Sequence, residues 1–196
     1  MDIEDIIRVY NTHDWAPKEG RTAVLLIDLQ EYFRGIIKPI LDNIVRLISA
    51  TREKHIPLIF TQHGHAPRSD HGMLGRWWTD LIIEGSADAR LIPELKVGKE
   101  DPIIAKNTYS AFHETDLEEK LRNLKVTDLV IGGVMTNLCC ETTARDAFIR
   151  NFRVFFLADG TSTISEEFQL STLKNLGYGF ATLMLCEQFI QTMTAT

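Results

Sequence analysis

The chain has no apolar run of the roughly 18 residues that a membrane-crossing helix requires, so no membrane partner is expected. It has only three cysteines, two of them adjacent. That number excludes a disulfide framework and predicts a reduced, cytoplasmic setting. Basic residues are in deficit, with 21 Lys and Arg against 27 Asp and Glu and a net charge of -6. Nucleic acid is therefore excluded as a partner, because phosphate binding needs a basic surface. No glycine fingerprint for dinucleotides and no lysine-bearing phosphate loop occurs. The acidic start, Met1-Asp2-Ile3-Glu4-Asp5, lacks the charged-then-apolar order of a signal peptide. Repeats and low-complexity blocks are missing too.

What is present fits one compact domain over residues 1–196, with 1–20 as an N-terminal extension. Hydrophobic residues make up 44% and charged residues 24% of the chain. Ile3, Ile6, Ile7 and Tyr10 predict a short leading helix. Thr22–Ile27 is a continuous apolar run, the mark of a strand buried on both faces. Further strands are predicted over 57–61, 102–105, 129–131, 152–157 and 180–184. Helices are predicted over 39–54, 116–123, from the cysteine pair to about 150, over 165–176 and over 186–193. Thr115 and Glu118 have the spacing of a capping box. Alternating strands and helices predict an α/β, three-layer Rossmann-like fold, a mainly parallel central sheet with helices on both faces. Residues 62–101 read as a long, mostly irregular connection, which inside a compact domain points to function.

The most informative segment runs from Ile131-Gly132-Gly133 through Cys139-Cys140 to Ala147. An apolar strand ends in two glycines, and a short turn leads to a thiol at the start of a helix. Helix N-termini favour thiolate over thiol. Asp28 ends the first strand, Lys106 ends the middle one, and Cys139 follows the next. Catalytic groups of a parallel sheet gather at such C-terminal ends. A carboxylate to take the thiol proton, a thiolate to attack a carbonyl and a neighbouring cation make a nucleophilic hydrolase. Cys140, Ala144, Ala147 and Phe148 form a core-facing stripe, so Cys139 is the candidate nucleophile and Cys140 a packing residue. Cys186 reads as structural. His63, His65 and His71 are either metal ligands or polar loop residues lining a pocket; no metal or cofactor is expected.

Three ordered motifs resemble the isochorismatase-like cysteine hydrolase family over roughly residues 20–190. They are Leu25-Leu26-Ile27-Asp28-Leu29-Gln30, Lys106-Asn107-Thr108-Tyr109-Ser110-Ala111-Phe112, and Gly133-Val134-Met135-Thr136-Asn137-Leu138-Cys139 running into Thr143-Ala144-Arg145-Asp146-Ala147. The resemblance implies an isochorismatase-like fold and an Asp28–Lys106–Cys139 triad. It also implies a cis peptide between Val134 and Met135 that turns the N–H groups of Met135 and Cys139 toward an oxyanion. A cysteine at this position favours the C–N hydrolases of the family, with nicotinamidase, N-carbamoylsarcosine amidase and ureidoacrylate amidase types as candidates. Microbial nicotinamidases carry Asp-x-His as metal ligands where this chain has His63-Gly64-His65, so only His65 corresponds. Expected partners are a small amide, held by Gln30, Phe33, His63, Trp78, Tyr109 and Phe112, with water and further copies of the chain in a dimer or tetramer. Two other readings stay open: an ether-cleaving hydrolase that uses Asp28 as acid without a covalent step, and a non-catalytic binding protein.

Overall fold

In the computed structural model, which describes residues 2–67 and 71–194, helices and strands alternate along the chain. They are α1 (Ile3–Tyr10), β1 (Thr22–Ile27), α2 (Arg34–Ile37), α3 (Leu41–Glu53), β2 (Leu58–His63), α4 (Gly72–Trp77) and β3 (Ile103–Lys106), followed by α5 (Leu117–Asn123) and β4 (Asp128–Val134). A π-helical turn (Thr136–Cys140) leads into α6 (Glu141–Ile149), and β5 (Arg153–Ser162), α7 (Glu166–Gly179), β6 (Ala181–Met184) and α8 (Cys186–Thr194) complete the chain.

All six strands are parallel, in the order β3-β2-β1-β4-β5-β6. Side chains alternate across a strand, so β1 sends Ala23, Leu25 and Ile27 to one face and Val24 and Leu26 to the other. The first face packs against Ile6 of α1, Leu117 and Leu121 of α5, Ala144 and Ala147 of α6, and Leu173 and Leu176 of α7. The second packs against Ile37 of α2, Ile44, Leu47 and Ile48 of α3, and Phe189 of α8. Both faces of the sheet are dry, which is why its central strands read as unbroken apolar runs.

The leading helix belongs to this packing, since Ile6 is fully buried. Just beyond α1, the Asn11 side chain pairs with both the N–H and the carbonyl of Leu183. It thereby covers part of the β6 edge, which would otherwise offer unpaired backbone groups. No helix among the described residues is long and apolar enough to cross a membrane.

Strands β4 and β5 are longer than their apolar runs. The register of β4 against β5 shifts between Ile131 and Gly133, and Gly133–Thr161 and Val134–Ser162 pair beyond the shift. Polar residues thus enter β5 through backbone pairing that hydropathy does not show. The expected capping box does not form. Thr115 accepts from Leu117 N–H at 3.3 Å, but the Glu118 carboxylate turns outward to Arg122 and Arg150. Phe148 also leaves the expected core stripe: it is 44% exposed and packs edge-on against Phe180. The 62–101 connection is tied down rather than loose. Besides α4 it carries a 3-10 turn over 93–95 and two isolated bridges, Gln30 to Leu91 and His65 to Ile83; its residues 68–70 lie outside the described residues.

Candidate active site

The chain turns outward from β1 in one direction, through β2 to β3, and returns to the other side of β1 as β4. The C-terminal ends of β1 and β4 therefore flank a crevice where the strand order reverses, the usual ligand position in such sheets. Asp28 follows β1, and the turn bearing Cys139 follows β4. Gly133 lets these ends approach: its φ is +119°, and a Cβ there would sit 2.1 Å from the Ile27 carbonyl oxygen. The next peptide bond, Val134–Met135, is cis.

Lys106 lies two strands away from β1, roughly 10 Å at the usual strand spacing. Its long stem crosses β2 and brings Nζ within 2.7 Å of Asp28 Oδ2, with both side chains fully buried. Close as it is, the contact is an ion pair without hydrogen-bond alignment at Oδ2. Lys106 Nζ also donates to the Thr108 carbonyl at 2.9 Å and to Cys139 Sγ at 3.4 Å, and it lies 3.5 Å from His63 Nδ1. Asp28 adopts a left-handed φ of 51°. Its Oδ1 accepts from the Thr61 hydroxyl at 2.5 Å, and the same hydroxyl oxygen accepts from the Asp28 N–H at 3.1 Å. The structure thus brings Asp28, Lys106 and Cys139 together at one sheet edge.

Burial works against the charge on Lys106, but the neighbouring Asp28 carboxylate, with Cys139, holds the ammonium above the ordinary lysine range. The expectation of a thiolate at a helix N-terminus is corrected. Burial pushes the Cys139 thiol up to about 12, with Lys106 opposing and Asp28 reinforcing the shift. Desolvation disfavours the charged form of a largely buried sulfur and so raises its pKa. The resting group is a thiol whose sulfur accepts from Lys106 Nζ. Burial raises Cys140 as well, and that residue sits in the core beside Ala144.

Cys139, still 8% exposed, opens onto a cavity of about 410 Å³. Phe33, His63, Trp78, Tyr109 and Met135 line it, together with Tyr32, Asp80, Leu138 and Ile164. The Trp78 indole donates to the Tyr109 hydroxyl at 2.8 Å, joining two walls. Two expected substrate contacts are not in this lining. Gln30 is fully buried and binds the N–H and carbonyl of His63 and the Ala89 carbonyl, so it braces β2. Phe112 is 5% exposed and stacks on Phe152 in the core. Sequence reading missed Thr61, Tyr32 and Asp80. A polar residue closing an apolar strand was a usable signal for Thr61; the other two come from connections without periodicity.

The three histidines stack edge to face, His63 on His65 at 5.0 Å and His65 on His71 at 5.1 Å between centroids. His71 Nε2 lies 3.0 Å from the Ala66 carbonyl, and His65 Nε2 is buried without a hydrogen-bond partner. Burial first, then the Lys106 charge, lowers His63 to about 4, so its ring is neutral near pH 7. Among the described residues no three His, Cys, Asp or Glu side chains converge in a way that could hold a metal ion.

A family model described as the isochorismatase domain matches residues 22–188. Nicotinamidase 3 of Arabidopsis thaliana is 44% identical over 189 residues, which cover 95% of this chain and 96% of that protein. The ureidoacrylate amidohydrolase RutB of Serratia proteamaculans is 28% identical, over 92% of this chain and 85% of its own length. Among solved structures, a cysteine hydrolase from Pseudomonas syringae pv. phaseolicola superimposes with a TM-score of 0.89 at 25% identity, covering 92% of this chain and 96% of that one.

Proposed function

The chain belongs to the isochorismatase family, and from that premise we propose that it is a nicotinamidase-like cysteine amidohydrolase, cleaving the C–N bond of a small aromatic amide through a thioester. One observation carries this reading: the Cys139 sulfur lies 3.4 Å from a buried ammonium that is itself 2.7 Å from a buried carboxylate, at the end of an aromatic-lined cavity. The 44% relative named a nicotinamidase supports a nicotinamide-type amide over the other candidates.

In the proposed cycle Asp28 takes the Cys139 proton as the sulfur attacks the amide carbon. The charge that develops on the carbonyl oxygen meets the N–H groups of Met135 and Cys139. Asp28 then returns the proton to the nitrogen as the C–N bond breaks, and ammonia leaves. Water, deprotonated by Asp28, attacks the thioester; the acid departs and the thiol is restored. Lys106 holds the Asp28 carboxylate in place and offsets the charge that moves between sulfur and oxygen. Phe33, Trp78 and Tyr109 hold the planar ring, and His63 presents a neutral wall. No metal or other cofactor enters the cycle.

Two further proposals concern setting and assembly. Three buried free cysteines support a cytoplasmic location, and one domain over residues 1–196 is proposed with it. Met73 and Trp77, 67% and 73% exposed on α4, support a homodimer or tetramer that covers them.

The test of the amidase reading is ammonia release from nicotinamide, combined with intact mass spectrometry of acid-quenched enzyme. Ammonia release together with an acyl adduct on Cys139 is expected. Turnover of isochorismate with no adduct on any amide would replace this reading with the ether-cleaving one.

A further inference from the structure

The cavity above Cys139 has an unbalanced set of charges. Among its described lining residues no Lys or Arg side chain appears, and Asp80 is the one carboxylate. Lys106, the nearest cation to the sulfur, is fully buried and paired with Asp28, so it offers no net charge to a ligand. His63 is neutral near pH 7.

Asp80 is also held in place. Tyr32, a lining residue reached from the turn after β1, donates its hydroxyl to Asp80 Oδ2 at 2.9 Å. The Tyr32 N–H in turn donates to the Asp88 carbonyl at 3.1 Å, and the phenol feels the charge of both carboxylates. Both Tyr32 and Asp80 are exposed, which puts the pair where the cavity meets solvent.

We propose that Asp80, tethered by Tyr32, is a specificity-determining residue that makes the site select uncharged aromatic amides and reject carboxylate-bearing ones. The proposal rests on the amidase reading of the same site. It also has a kinetic consequence, because hydrolysis converts a neutral amide into an anion. The product's carboxylate then faces a site whose described lining holds no free cation and whose rim is negative, which shortens its stay. Charges at a wet rim interact weakly but measurably, so the expected discrimination is about twofold.

Nicotinamide and nicotinate are close isosteres that differ by one negative charge, which makes them suitable probes. Binding of each to the full-length Cys139→Ala protein is measured by calorimetry, with and without Asp80→Asn. Asparagine keeps an oxygen that can accept from Tyr32 and removes the charge. The ratio of the nicotinate to the nicotinamide Kd is expected to fall about twofold in Asp80→Asn. The ratio in the Asp80 protein is expected to fall toward the same value as salt is raised, a response that a merely structural role of Asp80 does not produce. Equal ratios with and without Asp80, unchanged by salt, overturn the proposal. A shifted ratio alongside a native enzyme that releases no ammonia from nicotinamide upholds the charge filter and sinks the amidase reading instead.

Discussion

The Thr61 hydroxyl and the Asp28 carboxylate are 2.5 Å apart, and the same hydroxyl oxygen receives the Asp28 backbone N–H. One residue of β2 therefore fixes both the main chain and the side chain of the candidate base. Thr61→Val keeps the shape and removes the hydroxyl, leaving Asp28 Oδ1 and the Asp28 N–H without their buried partner. Unsatisfied buried groups cost about 1–3 kcal/mol. Amide turnover is expected to fall about tenfold, mostly in kcat. Steady-state kinetics beside a urea titration check this; an unchanged kcat would remove Thr61 from the site.

Asp28→Asn tests the carboxylate itself. Asparagine tolerates the left-handed φ of 51° that this position requires, so the backbone can keep its path. The variant cannot take a proton, and kcat is expected to drop about 10²- to 10⁴-fold. It also leaves the Lys106 ammonium buried without its partner, which costs about 3–5 kcal/mol. Adding Lys106→Met removes the stranded charge. The double variant is expected to regain most of the lost stability in denaturant while remaining inactive. Recovered activity in the double variant would mean that the pair acts only as a structural prop.

How much of this arrangement could be read beforehand varies with the physics of each part. The parallel sheet was legible because strands such as Thr22–Ile27 are buried on both faces and must be continuously apolar. Asp28, Lys106 and Cys139 stood at strand ends, and strand ends of a parallel sheet share an edge. Gln30 was misplaced because the sequence shows a polar side chain near the site but not that its amide is fully engaged by β2 and Ala89. Phe112 was misplaced because core and cavity aromatics look alike in a list of residues. The resting protonation of Cys139 was read from the helix end for a different reason: burial, which raises the thiol, is a property of the assembled fold. Tyr32 and Asp80 come from two connections far apart in the chain, and no local pattern links them.

His63 predicts an acid-side loss of stability. Its folded value of about 4 lies below the ordinary imidazole value of 6.5 because burial and Lys106 disfavour the charged ring. Between those values the unfolded chain binds more protons than the folded one. Stability is therefore complete above about pH 6.5 and falls as the pH drops toward 4, by at most about 3 kcal/mol for this group. His63→Gln removes the titrating ring. Urea midpoints at pH 7 and pH 4.5 are expected to differ less in the variant than in the native chain. Identical differences would place the acid sensitivity elsewhere.

Cys139 and Cys140 are neighbours in sequence with opposite expected roles. Cys139 reaches the cavity, whereas Cys140 is fully buried among Ala144 and its neighbours. Cys139→Ala is expected to abolish turnover and the acyl adduct. Cys140→Ala is expected to keep both within a fewfold and to cost about 1 kcal/mol of core packing. Because burial raises both thiols, general alkylating reagents should label the resting protein slowly. An amide-like electrophile that enters the cavity should label Cys139 faster. Peptide mapping after such labelling separates the two, and an adduct on Cys140 alone would reverse the assignment.

Gln169 of α7 is the remaining test, because it supports the loop that carries the sulfur without touching the cavity. Its Oε1 accepts from the Thr136 hydroxyl at 2.6 Å, one residue past the cis peptide, and its Nε2 donates to the Ala158 carbonyl and to both oxygens of Thr161. The amide thus ties the start of the Cys139 turn to the extended end of β5. Gln169→Ala cuts these links and lets Thr136 and Met135 drift, so the proposed oxyanion donors lose their aim. Misplacement of that kind lowers kcat by about 10- to 100-fold. KM for the amide is expected to move less than threefold, since the ring-binding walls stay in place. Gln169→Glu is expected to recover little, because a carboxylate cannot donate to the Ala158 and Thr161 carbonyls. Equal losses in kcat and in affinity would indicate general loosening of the fold rather than positioning of this turn.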